Sequence, residues 1–405
     1  MRGEALFSIG SVGYLLSQAA IIVIVARFGD VGLLGAYGFA AAVLTPLYFS
    51  VRLGVDTVLA AGRSSDDEVT RLVSTTTAAS LGLAAALILA CVVCLVVLKE
   101  QRSIIAIFVI VALTRLVENI IYCLNGYRIG NHAHRRAAVT LIAVSVFAPL
   151  ALAVGYLATG SPILAIAMIP AANLAGFAFF GLSEYRSLKP ALFDRRNFAK
   201  LVELMPLGAS SALSQVQNAA PRVFGGAFLG MDILGALMPA FQIFTLVVAT
   251  VNAAIQSLLP RIASRTHVDA ASAVRTILTY AGILGLALCL VSVPAGFLLG
   301  PAIISLVFGS QYEIAALAIG WFAVAWTLRV MAIFLNNIAI IRRDYGALVR
   351  QNFYTATIAV MIFPALIALF GTDGIVAGMI ATSAFLLARL TWHFTKSARM
   401  AAHYG

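Results

Sequence analysis

Charge is what this sequence has least of. Asp, Glu, Lys and Arg make up only 11% of its 405 residues, while 62% are hydrophobic. A soluble globular domain carries about a quarter charged residues, so a fold surrounded by water is excluded and a polytopic membrane protein remains. Cysteine is also rare, with four in the chain. Cys91 and Cys94 have CxxC spacing but lie in an apolar run without nearby ligands, and with Cys123 and Cys289 they read as core thiols. No GxxxxGK[ST] phosphate loop occurs, and the glycines at 29, 32, 35 and 38 make no dinucleotide fingerprint. An ATP-driven pump would therefore need a partner to supply its nucleotide domain. His132 and His134 stand in a basic turn among Arg128, Arg135 and Arg136, which reads as a solvated face and not a metal site. No cofactor and no metal is expected. The longest polar link, 184–203, lacks a clustered catalytic set, which argues against a membrane polymerase or transferase and against enzyme activity in general.

Long apolar runs are abundant. Stretches able to cross about 30 Å of hydrocarbon, roughly twenty residues each, fall at about 7–26, 34–60, 72–98, 103–127, 137–158, 162–183, 204–229, 233–260, 275–299, 314–341, 350–370 and 374–395. The expectation is an all-α chain of twelve transmembrane helices. Residues 1–183 form an N-terminal six-helix lobe, 184–203 a cytoplasmic linker and 204–405 a C-terminal six-helix lobe. Met1-Arg2-Gly3-Glu4 leads straight into an apolar run without a small-residue cleavage site, so the first helix reads as uncleaved. Six crossings return the chain to its starting side, so the lobes are parallel repeats. The even-numbered turns, the link and both ends hold nearly all the basic residues outside the spans, from Arg2, Arg63, Arg71 and Arg128 to Lys396 and Arg399. The opposite side holds only Arg27, Lys99 and Arg102. That bias puts both termini in the cytoplasm. It also accounts for most of the net charge of +11 as topology signal, leaving no nucleic-acid partner to invoke.

The duplication is visible in the residues. Residues 18–60 recur without a gap at 218–260, with identities at Ala19/Ala219, Val23/Val223, Phe28/Phe228, Leu34/Leu234, Gly35/Gly235, Ala36/Ala236, Ala40/Ala240, Thr45/Thr245 and Leu59/Leu259. Polar positions correspond as well: Gln18 falls on Asn218, Arg52 on Asn252 and Asp56 on Gln256. In the fourth and tenth spans Arg115 aligns with Arg329 and Arg128 with Arg342.

Polar residues inside the spans are the ones that need a reason. A charge at the bilayer centre costs on the order of 2.5–3.5 kcal/mol on insertion scales and normally faces a bundle interior or a watery cavity. Arg52, Arg115, Arg222, Arg329 and Arg389 are the intramembrane arginines. Arg389, within two turns of Lys396 and beside Trp392, is expected to snorkel to the interface. The others share helix faces with amides and acids: Ser211, Gln215, Asn218 and Arg222 in the seventh span, Gln242, Thr245, Asn252 and Gln256 in the eighth, Thr45, Arg52 and Asp56 in the second. Arg115, Glu118, Tyr122 and Asn125 line the fourth, Arg329 and Asn336 the tenth, and Ser11 and Gln18 the first. The third, fifth, sixth, ninth, eleventh and twelfth spans read as a lipid-facing wall. A central cavity lined by the polar faces is expected, with helix-packing hydrogen bonds as the alternative. Pro221 is expected to bend the seventh span as a hinge, Gly226 and Gly230 to form a close-packing pair, and 300–311 to make a short interfacial helix.

The segments Val25-Ala26-Arg27-Phe28-Gly29, Leu34-Gly35-Ala36-Tyr37-Gly38 and Arg52-Leu53-Gly54-Val55-Asp56, with Ile303 to Tyr312 after the ninth span, resemble the MOP exporter superfamily. Within it the similarity is to the polysaccharide-export branch, the Wzx-type flippases. The resemblance implies two lobes opening alternately to each side of a bacterial inner membrane, with a cavity lined by the first, second, seventh and eighth spans. The implied cargo is an undecaprenyl-pyrophosphate glycan for surface polysaccharide such as the O-antigen of lipopolysaccharide. It further implies membrane lipids and polysaccharide-assembly proteins as partners, and a monomer. Guanidinium forks suit pyrophosphate or acidic sugars, so Arg52, Arg115, Arg222 and Arg329 are the candidate substrate-binding cations. Gln18, Gln215, Asn218, Asn252 and Gln256 are the candidate partners of sugar hydroxyls. Asp56 and Glu118 are the ion-coupling candidates. The alternative is a MATE-like ion-coupled small-molecule exporter, although cationic drugs would favour an acidic pocket and the first span has no carboxylate.

Overall fold

The computed structural model describes residues 2–60, 66–97, 102–188, 195–265, 270–341 and 345–404, and they are helical with short connections. The order is α1 (Arg2–Phe28), α2 (Val31–Arg52), α3 (Val55–Ala60), α4 (Asp66–Val97), α5 (Arg102–Gly130), α6 (His134–Thr159), α7 (Pro162–Phe180) and α8 (Leu182–Ser187). It continues with α9 (Arg195–Leu229), α10 (Met231–Arg265), α11 (Ala270–Leu298), α12 (Gly300–Val307), a 3-10 turn (Ser310–Tyr312), α13 (Glu313–Ile341), α14 (Tyr345–Phe370) and α15 (Thr372–Tyr404). Setting aside the short α3, α8 and α12 leaves the twelve expected long helices. Among the described residues 11 of them are long and apolar enough to cross a membrane. The long helix outside that set is α9, which carries Ser211, Gln215, Asn218 and Arg222. Helices suit this setting because each satisfies its backbone N–H and C=O groups internally, where lipid offers no partner.

The chain divides into two compact units, Met1–Ala219 and Ala220–Gly405, with the division falling inside α9. In the first unit α5 is the hub, packed against α2, α3, α4, α6 and α7. In the second, α13 holds the same position, packed against α10, α11, α12, α14 and α15. These are the two helices that the sequence pairs through Arg115 and Arg329. Their cores are aliphatic and aromatic: Val117, Ile121, Leu124, Val144 and Phe177 in one, Val330, Phe334, Leu335, Leu386 and Leu390 in the other. Outward faces of the same bundles stay apolar, as at Leu150, Val154 and Leu157 on α6 and Leu290, Val291 and Met361 on α11 and α14. That is the surface a hydrocarbon solvent selects.

The repeat persists in three dimensions. α1 ends at Phe28 and α9 at Leu229, and α2 and α10 begin at Val31 and Met231. Leu34 and Leu234, Ala36 and Ala236, and Ala40 and Ala240 are buried at both places. The first of these turns is fixed by Asp30, whose Oδ1 accepts the Leu33 N–H at 2.6 Å and caps α2.

The structure corrects several sequence readings. The second span is not one helix: α2 stops at Arg52, and Leu53 and Gly54 both take left-handed backbone, φ 58° and 64°, before α3 begins. The equivalent positions in α10 are Ala253 and Ala254, and that helix runs unbroken to Arg265. Glycine enters the left-handed region without steric cost and alanine does not, so the lobes differ where their sequences do. Gly230 is not a packing glycine either. It ends α9 with φ 90°, and a methyl there would meet no atom within 4 Å; the close approach is at Gly225, against Ile375 of α15. α9 is assigned as helix straight through Pro221, which is buried, so no break marks the expected hinge. α4, assigned to the lipid-facing wall, buries Ser74, Thr75, Thr76, Thr77 and Ser80 while exposing Leu89 and Val93. The short helix expected at 300–311 is present as α12 and the turn after it, with Ile303 and Leu306 exposed.

Candidate functional site

The first unit links its intramembrane charges in one network, of which Arg52 and Asp56 line a cavity. The break at Leu53-Gly54 swings α3 against α5, where Gly126 allows the approach: a methyl at Gly126 would lie 2.5 Å from the Asp56 carbonyl oxygen. Asp56 is thereby held beside Arg52, and the two form an ion pair across the break. The Arg52 guanidinium also lies 4.3 Å from the centroid of Tyr122 and 4.9 Å from that of Phe49, a cation–π setting worth about 0.5–2 kcal/mol per ring. Tyr122 meets Tyr14 of α1 edge-on, with centroids 5.9 Å apart.

From Tyr14 the network passes back to α5. Tyr14 Oη donates to Glu118 Oε1 at 2.7 Å, and Arg115 donates to Glu118 Oε2 at 2.6 Å. Asn119, next along α5, donates to the Tyr48 carbonyl at 3.1 Å and to Ser80 Oγ of α4 at 3.2 Å, fixing the hub to α2 and α4. Asp56, Arg52, Tyr122, Tyr14, Glu118 and Arg115 thus form one continuous series. Arg52, Asp56, Tyr14, Tyr122, Ser11 and Asn125 line a cavity of about 440 Å³. The series holds two cations and two anions, of which one of each, Arg52 and Asp56, lines the cavity.

Gln18 on α1 and Gln215 on α9 are half-buried in the first unit, and Asn218 is exposed there. In the second unit the Arg222 guanidinium lies 5.8 Å from the Phe241 ring centroid. Phe241 in turn packs edge-on against Phe322 of α13 at 5.2 Å. Arg329, seven residues further along α13, is 9% exposed. Asn252 accepts a hydrogen bond from Asn337 Nδ2 at 2.9 Å, joining α10 to α13. The side chain of Gln256 lies outside the described residues, as does Arg342. Arg389 lies over the rings of Tyr354 and Trp392 at 4.6 and 5.2 Å, with Nε donating to Gln351 at 3.3 Å. Among the described residues no group of three or more His, Cys, Asp and Glu side chains is arranged to hold a metal ion.

Three residues escaped the sequence reading. Tyr14 lies three residues after Ser11 and four before Gln18, on the face already marked as polar, but tyrosine counts as hydrophobic in a composition scan. Asn337 lies one position off the stripe that Arg329 and Asn336 mark. Arg128 was read as a solvated topology arginine and is 1% exposed. It bonds Glu184 at 2.9 Å, Thr140 Oγ1 at 2.6 Å and the Phe180 carbonyl at 2.5 Å, tying α5 to α6, α7 and α8.

The family described as "Polysaccharide biosynthesis protein" matches residues 24–317, more than half of the chain. Among solved structures, an inward-facing multidrug resistance MATE family transporter of the MOP superfamily superposes with a TM-score of 0.80 at 12% identity, over 97% of this chain and 96% of that one. The lipid II flippase MurJ in an inward closed conformation gives 0.70 at 12% identity, over 96% and 87%. A MOP superfamily transporter from Pyrococcus furiosus, described as having a binding pocket of reverse polarity, gives 0.60 at 13% identity, over 98% and 95%. No curated protein matches the sequence. At these identities the structures establish the fold, one shared with transporters of the MOP superfamily, and the family match establishes the family: the chain belongs to the polysaccharide biosynthesis protein family.

Proposed function

We propose that this protein is a flippase that carries an anionic lipid-linked oligosaccharide, an undecaprenyl-pyrophosphate glycan, across a bacterial cytoplasmic membrane by alternating access. Both termini face the cytoplasm in this reading. The observation that carries it is the Arg52 cluster: a guanidinium held between two rings and one carboxylate at the wall of a cavity in a polysaccharide-biosynthesis protein. Guanidinium groups bind pyrophosphate and acidic sugars through paired, charge-assisted hydrogen bonds. Arg115, Arg222 and Arg329 are the further cations assigned to the anionic cargo. Gln18, Gln215, Asn218, Asn252 and Gln256 are assigned to sugar hydroxyls.

Coupling is assigned to Asp56 and Glu118. Each holds an arginine in the resting structure, so protonation of the carboxylate releases a cation for the cargo, and loss of the proton restores the ion pair. A carrier of this kind needs no covalent chemistry. The testing experiment is deletion of the gene followed by analysis of surface glycans and lipid-linked intermediates. Accumulation of a cytoplasm-facing glycolipid supports the proposal. Normal glycans with altered dye sensitivity would instead assign the chain to small-molecule export, the reading favoured by its superposition on a MATE transporter.

A further inference from the structure

A second cavity, of about 630 Å³, opens in the first unit where α6 begins and α7 passes into α8. The candidate site does not include it. Its floor is the ion pair of Arg128 and Glu184. Arg128 has its guanidinium bonded to Glu184, Thr140, Asn125 and the carbonyls of Phe180 and Arg136, so this pair is closed and neutral. What remains charged is Arg135 and Arg136, both exposed on the rim. Among the described residues neither guanidinium has an acidic or carbonyl partner. They occupy the first turn of α6, whose N-cap is Ala133 with no capping side chain, so the positive end of the helix dipole adds to theirs. Ser183 lines the same cavity, and the Ser187 hydroxyl is committed to the Glu184 carbonyl at 2.6 Å.

The apolar part of the lining is Val139, Phe179 and Phe180. Phe179 is 81% exposed and Phe180 40%. They end a membrane-spanning segment, Pro162–Phe180, and the arginines begin another, His134–Thr159, so the cavity lies at headgroup depth. A small soluble anion would use the arginines and leave two phenyl rings bare. A molecule anionic at one end and hydrocarbon at the other uses both parts of the lining. We propose that this cavity is a binding site for an anionic phospholipid, with the headgroup phosphate on Arg135, Arg136 and Ser183 and an acyl chain along Phe179. The arginine bias of the loops gives this face to the cytoplasm, where the leaflet's anionic lipids attract juxtamembrane arginines.

The test uses the purified full-length chain in neutral detergent. It is titrated separately with short-chain phosphatidylglycerol, phosphatidylcholine of the same chain length and inorganic phosphate. Bound lipid is read by native mass spectrometry and stability by thermal unfolding. Phosphatidylglycerol is expected to bind and raise the unfolding midpoint, with phosphatidylcholine and phosphate ineffective. Arg135→Gln with Arg136→Gln is expected to weaken phosphatidylglycerol by about 30-fold, two surface arginines' worth, and Phe179→Gln to weaken it as well. Arg186→Gln removes an exposed arginine just outside the cavity and is expected to bind normally. Equal stabilisation by phosphate overturns the lipid assignment. So does unchanged binding in the double variant, or an equal loss in Arg186→Gln. The comparison of the two lipids on the unmutated chain decides the matter even where a variant fails to fold.

Discussion

Tyr14 of α1 donates its hydroxyl proton to Glu118 of α5 at 2.7 Å while Arg115 grips the other carboxylate oxygen at 2.6 Å. Glu118 is only 4% exposed, so this acid is at once a counter-ion and a tie between two helices. Removing its charge leaves Arg115 without an anion. A broken buried pair costs about 3–5 kcal/mol, reduced here because the Arg115 side chain keeps 24% exposure. Glu118→Gln is therefore expected to destabilise the protein by about 2–3 kcal/mol, and Glu118→Leu with Arg115→Met by less than either single change. Thermal unfolding of the purified proteins checks this, and a Glu118→Gln midpoint equal to wild type would contradict it.

Coupling makes a separate demand. If protonation of Asp56 or Glu118 frees an arginine, neutral substitutes freeze that state. Flux in proteoliposomes carrying Asp56→Asn and Glu118→Gln is expected to lose its dependence on an imposed proton gradient. A double variant that still follows the gradient as wild type does would remove these acids from the coupling step.

Arg52 is held by shape as well as charge. Its flat guanidinium lies against Phe49 and Tyr122 while pairing with Asp56, and a lysine ammonium reproduces the charge without the stacking plane. Arg52→Lys is expected to keep membrane abundance but lower glycan export about five- to tenfold, equivalent to roughly 1 kcal/mol of lost cation–π energy. Arg52→Ala is expected to lose more. Complementation of the deletion strain reads the difference, and full rescue by lysine would leave stacking without a role.

How much of this could be read from sequence follows from the kind of information each feature uses. Long apolar runs and a positional repeat are local statistics, so the twelve long helices and the equivalence of α5 and α13 were legible. Arg115 with Glu118 was legible because helix spacing places them side by side, whereas Arg52 and Asp56, four apart in sequence, pair across the break at Leu53-Gly54 and not along one helix. That break was not legible, since a leucine at φ 58° contradicts its own preference and is held there by packing. Nor was the burial of Arg128, whose partners Glu184 and Phe180 lie more than fifty residues away. Long-range hydrogen bonds leave no period to detect.

Arg222 and Arg329 in the second unit give a prediction of their own. Arg222 lies against the Phe241 ring and Arg329 is buried on α13. With both assigned to cargo, Arg222→Ala and Arg329→Ala are expected to abolish export while leaving membrane abundance near wild type. Quantitative blotting beside glycan analysis separates the two quantities. Lost abundance in either variant would assign that arginine to structure.

Asn252 and Asn337 offer the sharpest division between packing and cargo. Asn337 Nδ2 donates to Asn252 Oδ1 at 2.9 Å, and among the described residues the Asn252 amide hydrogens have no other partner, so a sugar hydroxyl could accept from them. As packing alone the bond stabilises the unit by about 0.6–2 kcal/mol, and the two alanine substitutions share that one loss, so their stability effects must be less than additive. A contact with cargo breaks this symmetry. Asn252→Ala then lowers export by about a further fivefold, one hydrogen bond's worth, whereas Asn337→Ala affects stability alone. Unfolding and export measured on both single variants and the double variant close the cycle. Equal export losses in the two single variants would confine Asn252 to joining α10 and α13.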